Sequence, residues 1–363
     1  MASSSGPATV ARPVGDWLVS PAFDLLFLAN LGWLLALVPG YVAADGAVHI
    51  EFWQIYFLTT PHRWITLLLV AADPDRRTGR DRLFVGLAML AALAVAGVYL
   101  TFGGFLCLLL VYYIWNGWHF ASQHAGVLRV YSLKSGGGRP RWEKHGLRLF
   151  VFYVIARTAG WTTGWLEEWP AAATWLPAFD AAAMVLAATL LVPELMTGPG
   201  RRPGKSIYLA SVVGLYAALL GALVAGQGVL VLALTAAGAT FHAVEYLALV
   251  THYAWRRQSV GGGGLFRTLA RHWLTLLAAY VLVFGLVSAA VQPRGFDWWV
   301  GLNLWAAFLH YAYDGLIWKL RRPETARALG AEGSAQTRQC RDRKGAGAPS
   351  LTVAALADAP RAQ

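Results

Sequence analysis

Charge is scarce in this sequence. Asp, Glu, Lys and Arg together make 13% of its 363 residues, against 57% hydrophobic. A soluble domain carries roughly a quarter charged residues, so a chain wrapped in water on all sides is excluded. Period-two alternation is missing too: runs such as Leu83 to Phe102 are continuously apolar. That excludes a membrane β-barrel, whose strands alternate, and leaves helices as the way to satisfy a backbone in lipid. There are two cysteines, Cys107 inside an apolar run and Cys340 near the end. They form no structural bridge and imply no oxidising compartment. The N-terminus has no basic region followed by a short apolar stretch and a cleavage site, so no cleaved signal peptide is expected. No convincing internal repeat is found.

The apolar residues fall in runs of the length a helix needs to cross hydrocarbon, about 20 residues. The expected fold is all-α: a polytopic bundle of about ten spans, near 18–42, 49–72, 83–102, 105–131, 149–166, 181–198, 207–226, 228–254, 272–291 and 298–320. Connections alternate in charge. Arg76 to Arg82, Lys134 to Arg148, Arg201 to Lys205 and Arg256 to Arg271 are basic; the intervening ones, with Asp45, Gly103–Gly104, Glu167–Glu168–Asp180 and Gln227, are neutral or acidic, with one Arg294 before the last span. Basic connections face the cytoplasm, which places both termini on the cytoplasmic side of the membrane. The same pattern explains the net charge of +11 without nucleic acid. Trp165, Trp169, Trp298 and Trp299 suit interfacial belts. Residues 1–17 form a cytoplasmic segment, 18–322 the helical domain, and 323–363, rich in Ala, Gly, Arg and Pro, a disordered basic tail. The Ser135–Gly138 and Gly261–Gly264 runs are expected to be flexible loops.

Ionisable residues within spans are costly and point to function. Histidines concentrate in the even-numbered spans: His62 in TTPHRW, His119 and His124 in NGWHFASQH, His242 and His252 in FHAVEYLALVTH, and His310 in HYAYDG. His62, His119, His242 and His310 lie about 12–15 residues from the outer end of their spans, which puts them in one layer at 1.5 Å per residue. One turn deeper come His124, Glu245 and Asp314. Four imidazoles at one depth above carboxylates is a pattern expected of a metal site: imidazole suits iron, copper and zinc, and carboxylates behind it fix its tautomer. His310 and Asp314 share a helical face, as do His242 and Glu245. His119 and His124 are separated by about 140° around their axis, so both cannot point straight at one atom; Gln123 is the residue aligned with His119. Pro61 should loosen its helix beside the site. Arg63 needs a partner, for which Asp24 or Glu245 is available.

Each residue also has a plainer role. A lone intramembrane histidine packs or hydrogen-bonds more often than it ligates. His252 reads as interfacial, and His49, His145 and His272 as solvated. Asp24 and Arg157 read as a structural polar pair or as helix–helix glue.

WHFASQHAGVLRVY, FHAVEYLALVTHY and HYAYDGLIWKLRR resemble segments of a family of uncharacterised His-rich multi-pass bacterial membrane proteins, a likeness that brings no activity with it. In organisation the chain is similar to bacterial-type carotene-cleaving dioxygenases and to membrane fatty-acid desaturases and hydroxylases. That likeness implies an iron oxygenase. The chain departs from both: PHRWIT has no acid where the carotene enzymes carry a PHGxxD-type motif, and HxxHH boxes are lacking, which favours one iron over two.

The expectation is therefore a non-haem iron oxidoreductase acting with O₂ on an apolar lipid or isoprenoid. His62, His119, His242 and His310 are the expected metal ligands, and His124, Glu245 and Asp314 the residues that orient ligands or move protons. Expected partners are membrane lipids, the apolar substrate and an electron-donor protein. Two alternatives stay open: a haem-binding electron carrier with two axial histidines, and a proton-coupled transporter that uses the His and carboxylate layer as a relay.

Overall fold

The computed structural model describes residues 17–38, 52–73, 76, 79–135, 140–164, 168, 170–197, 199–259, 271–291, 296–320, 325, 326 and 329. His49, Trp165, Trp169, Asp45, Glu167, Arg294, Cys340, the Gly261–Gly264 run and nearly all of the expected tail lie outside them. Among the described residues the protein is all-helical. The long helices are α1 (Phe52–Ala72), α2 (Asp81–Phe102), α3 (Leu106–Lys134), α4 (Pro140–Thr163), α5 (Pro170–Thr197), α6 (Pro203–Val224), α7 (Gly228–Ser259), α8 (Trp273–Val291) and α9 (Phe296–Ile317). Four of these regions are long and apolar enough to cross a membrane: Asp81–Phe102, Ala173–Thr197, Pro203–Val224 and Gly228–Arg256.

Local sequence sets the helix ends. Pro140, Pro170 and Pro203 each occupy a first position, where the missing N–H costs nothing. Gly103, at φ 67°, stops α2 in a left-handed cap whose N–H reaches the Tyr99 carbonyl; a side chain there would be strained. Helices continue past the apolar runs that mark them. α4 starts at Pro140 and α5 at Pro170, so Lys144, Arg148 and Asp180, expected in connections, are helical.

The first expected span, 18–42, is not one helix over its described part. It breaks into a turn of α-helix at Pro21–Phe23, π-helix at Asp24–Leu28 and 3-10 helix at Leu31–Ala36, with Asn30 left-handed between the last two. The reason is polar. The Asp24 carboxylate accepts the N–H groups of Leu18 (2.6 Å) and Val19 (3.0 Å) and the Tyr131 hydroxyl (2.6 Å). The freed carbonyl of Ala29 accepts from Ser211, which in turn accepts the Trp33 indole N–H. Irregular backbone is tolerated where protein surrounds it. Beside this segment, burial lowers the Lys134 ammonium from its ordinary value, with Asp24 acting in the opposite direction; Lys134 donates to the carbonyls of Trp17 and Leu18.

Two apolar cores result. One joins the broken segment, α3 to α6 and one face of α7. The other joins α1, α2, α8, α9 and the opposite face of α7, with α2, α3 and α9 closing its side. α6 lies inside, with 61% of its most apolar window buried, while α2 has 11% and turns Leu90, Leu93 and Leu100 outward. Packing continues beyond residue 322: Thr325, Ala326 and Leu329 are buried, and Thr325 accepts from Arg76 (3.0 Å).

Buried charge is paired. Lys205, expected in a loop, has no exposed surface and reaches Glu143 (2.8 Å) and Glu194 (3.1 Å); Arg202 and Ser206 also bind Glu194. Asp180 takes Arg157 (3.5 Å) and the Tyr153 hydroxyl (2.5 Å). Arg157 and Asp24 are therefore glue in separate places.

Candidate metal centre

Four helices meet where the two cores adjoin. α1 packs on α7 and α9, and α3 on the same two, so they form a ring in the order α1, α7, α3, α9. Each contributes one buried histidine, and the imidazoles follow the same order. Ring centroids are 5.0 Å apart for His62–His242, 5.0 Å for His242–His119, 4.6 Å for His119–His310 and 5.0 Å for His310–His62. Donor atoms of His62, His242 and His310 lie within 4.8 Å of one another, and so do those of His119, His310 and Asp314.

These spacings fit a shared ion. With metal–nitrogen bonds of about 2.1 Å, neighbouring imidazole centroids stand about 4.5 Å apart in a square and about 5.2 Å apart in a tetrahedron. A second observation is independent of spacing. Among the described residues His62 Nδ1, His119 Nε2, both ring nitrogens of His242, and His310 Nε2 are buried without a hydrogen-bond partner. Each such group costs about 1–3 kcal/mol when left unmet. Native interiors contain few of them, so five in one cluster call for a ligand.

The next turn holds the rings in place. Four residues after each histidine stand Thr66, Gln123, Tyr246 and Asp314. Thr66 Oγ1 bonds His310 Nδ1 (2.6 Å) and the Tyr246 hydroxyl (2.6 Å). Tyr246 donates to Asp314 (2.7 Å), whose other oxygen lies 3.6 Å from His310 Nδ1 and 3.8 Å from His119 Nε2. Gln123 donates to Glu245 (2.6 Å) and to the carbonyl of His242 (3.0 Å). Histidine meets histidine, and the following turn meets the following turn. The four helices therefore run in the same direction.

His124 does not join the ring. It faces α6, with Nδ1 3.2 Å from Glu245 and Nε2 3.5 Å from the Tyr216 hydroxyl, and its ring lies 6.4 Å from that of His242. The angular separation from His119 is the cause. Glu245 is fully buried and accepts from Tyr208 (2.5 Å) as well as Gln123. Arg63 donates to the Tyr112 hydroxyl and lies 5.3 Å from that ring. Asp24 and Glu245, its expected partners, are occupied by the groups named above. Pro61 leaves α1 continuous, and its carbonyl accepts the Tyr280 hydroxyl (2.9 Å). His252 is half-buried, while His145 and His272 are exposed.

Thr66, Tyr246, Tyr208 and Tyr112 were not singled out by the sequence. Thr66 and Tyr246 carried a usable signal, since each stands one turn beyond a histidine of the layer.

Compared with models of protein families, with curated proteins and with solved structures, the chain matches none.

Proposed function

We propose that this is a ten-span inner-membrane protein in which His62, His119, His242 and His310 hold one non-haem iron, and that it oxidises an apolar lipid or isoprenoid with O₂. The observation that carries the reading is the ring of four buried imidazoles, each with a ring nitrogen that has no hydrogen-bond partner. Imidazole is a good ligand for iron. Iron so held would supply redox chemistry with O₂, while the protein supplies a dry, shaped site. With His310 Nε2 given to the metal, Nδ1 carries the proton and donates to Thr66 Oγ1, which fixes the ring. Tyr246 fixes Asp314 behind it. Glu245 and His124 form a second buried acid–imidazole pair, suited to holding a proton beside His242.

The haem reading is less well supported, because neighbouring imidazoles at 4.6–5.0 Å leave no slot for a macrocycle between them. Elemental analysis and an absorption spectrum of detergent-purified protein test the proposal. The expected result is about one iron per chain, in keeping with a single four-histidine site, and no Soret band. Protein purified with no transition metal, and unable to take one up, sinks the proposal.

The span count has its own support. Parallel α1, α3, α7 and α9 require an odd number of crossings between each successive pair, and one, three and one long helices intervene. Reporter fusions are expected to place the loop from Arg76 to Arg82 in the cytoplasm and the Glu167–Glu168 loop outside. Both sites reporting one side would refute the count.

A further inference from the structure

The groove between α2 and α9 has no role in the centre described above. It holds a volume of about 530 Å³, inside the roughly 300–1,000 Å³ range of small-molecule sites. Its walls are apolar: Val95 and Ala96 on one side, Gly301 and Leu302 on the other. Phe105 stacks on Tyr99 (5.0 Å) beside the mouth; a side chain at Gly301 would meet Phe105 at 3.0 Å. The other end is Trp305, whose ring lies 6.0 Å from Trp64. Trp64 is two residues after His62 and Trp305 five before His310, so this end lies against the helices that carry His62 and His310.

Polarity is confined to the mouth. Asp297 is the one charged residue of the lining, and the Tyr99 hydroxyl donates to it (3.2 Å). That leaves the Tyr99 proton committed. The Asp297 carboxylate has acceptor positions to spare, since a carboxylate offers about four. The Trp305 indole N–H is committed to the carbonyl of Ala88 (3.0 Å). The mouth thus offers an anionic acceptor, and the rest of the groove offers hydrocarbon.

We propose that this groove is the substrate-binding site, and that it takes a single-chain amphiphile whose head donates a hydrogen bond and bears no negative charge: a long-chain alcohol. The hydroxyl donates to Asp297, and the chain lies along Ala96 and Leu302 towards Trp305. A fatty acid is repelled at the same mouth by the carboxylate. This deepens the reading of the protein as a membrane enzyme for apolar substrates and rests on it.

The test is photo-crosslinking of the full-length protein in lipid nanodiscs with a long-chain alcohol carrying a mid-chain diazirine, followed by peptide mapping. Label is expected on Val95, Ala96 and Leu302. The matching fatty acid should label these about tenfold less, the worth of one charge-assisted hydrogen bond. Ala96→Trp should remove the label, and Asp297→Asn should erase the preference for alcohol over acid. Label spread equally over the outward-facing Leu93 and Leu100 would mean annular lipid only and overturn the site. Equal labelling by acid and alcohol would overturn it as well. Iron is measured in the same samples: groove labelling in protein that binds no metal supports the groove and refutes the centre.

Discussion

His310→Ala is expected to abolish metal binding while the bundle stays folded. His310 touches both neighbours in the ring, His62 at 5.0 Å and His119 at 4.6 Å, and belongs to both groups of donors that converge there. Its removal leaves three imidazoles and opens the side of the ring nearest Asp314. Asp314→Asn separates ligation from positioning. The amide keeps the shape and still accepts from Tyr246, but it no longer draws charge onto the imidazole. Metal affinity should fall roughly 10–100-fold, as when a residue behind a ligand is changed, with iron still detectable at saturating supply. Isothermal titration of apoprotein, with circular dichroism to check folding, reads both effects. If His310→Ala kept full metal content while Asp314→Asn unfolded, the carboxylate would be structural and His310 no ligand. Three histidines would then not be enough to prefer an enzyme over a binding protein.

Lys205→Met should be the most destabilising change outside the centre. Lys205 is wholly buried between Glu143 and Glu194. Its loss takes from Glu143 a cation at 2.8 Å and from Glu194 one at 3.1 Å, while Glu194 keeps Arg202. Removing one partner of a buried ion pair costs about 3–5 kcal/mol. Denaturant unfolding in detergent should show a loss of that size, and Lys205→Met with Glu143→Gln should recover much of it. An unchanged midpoint for the single variant would show that water reaches the cluster.

The histidine layer was legible because it needs only counting: four helices in one direction, with the histidine at a similar distance from the start of each. The carboxylates were legible for the same reason, one turn further on. Arg63 was not, because its partner Tyr112 lies on another helix and resembles any belt tyrosine. Lys205 was misplaced because charge marks the end of an apolar run; nothing local distinguishes a lysine at the surface from one met by two acids 11 and 62 residues earlier. The broken first segment was hidden for a similar reason. Its sequence is apolar enough for a helix, and Asp24 redirects the backbone only because Tyr131 comes to meet it.

The closed ring also constrains how the molecule is made. His62 and Thr66 belong to α1 and His310 to α9, 244 residues away from Thr66. A ribosome feeding the chain into the membrane delivers the sides from α1, α3 and α7 before the fourth, from α9. Until then three imidazoles face an open seam. The nascent chain has no finished cage to fill, so the proposed metal would load after insertion, when α9 has slid between α1 and α3.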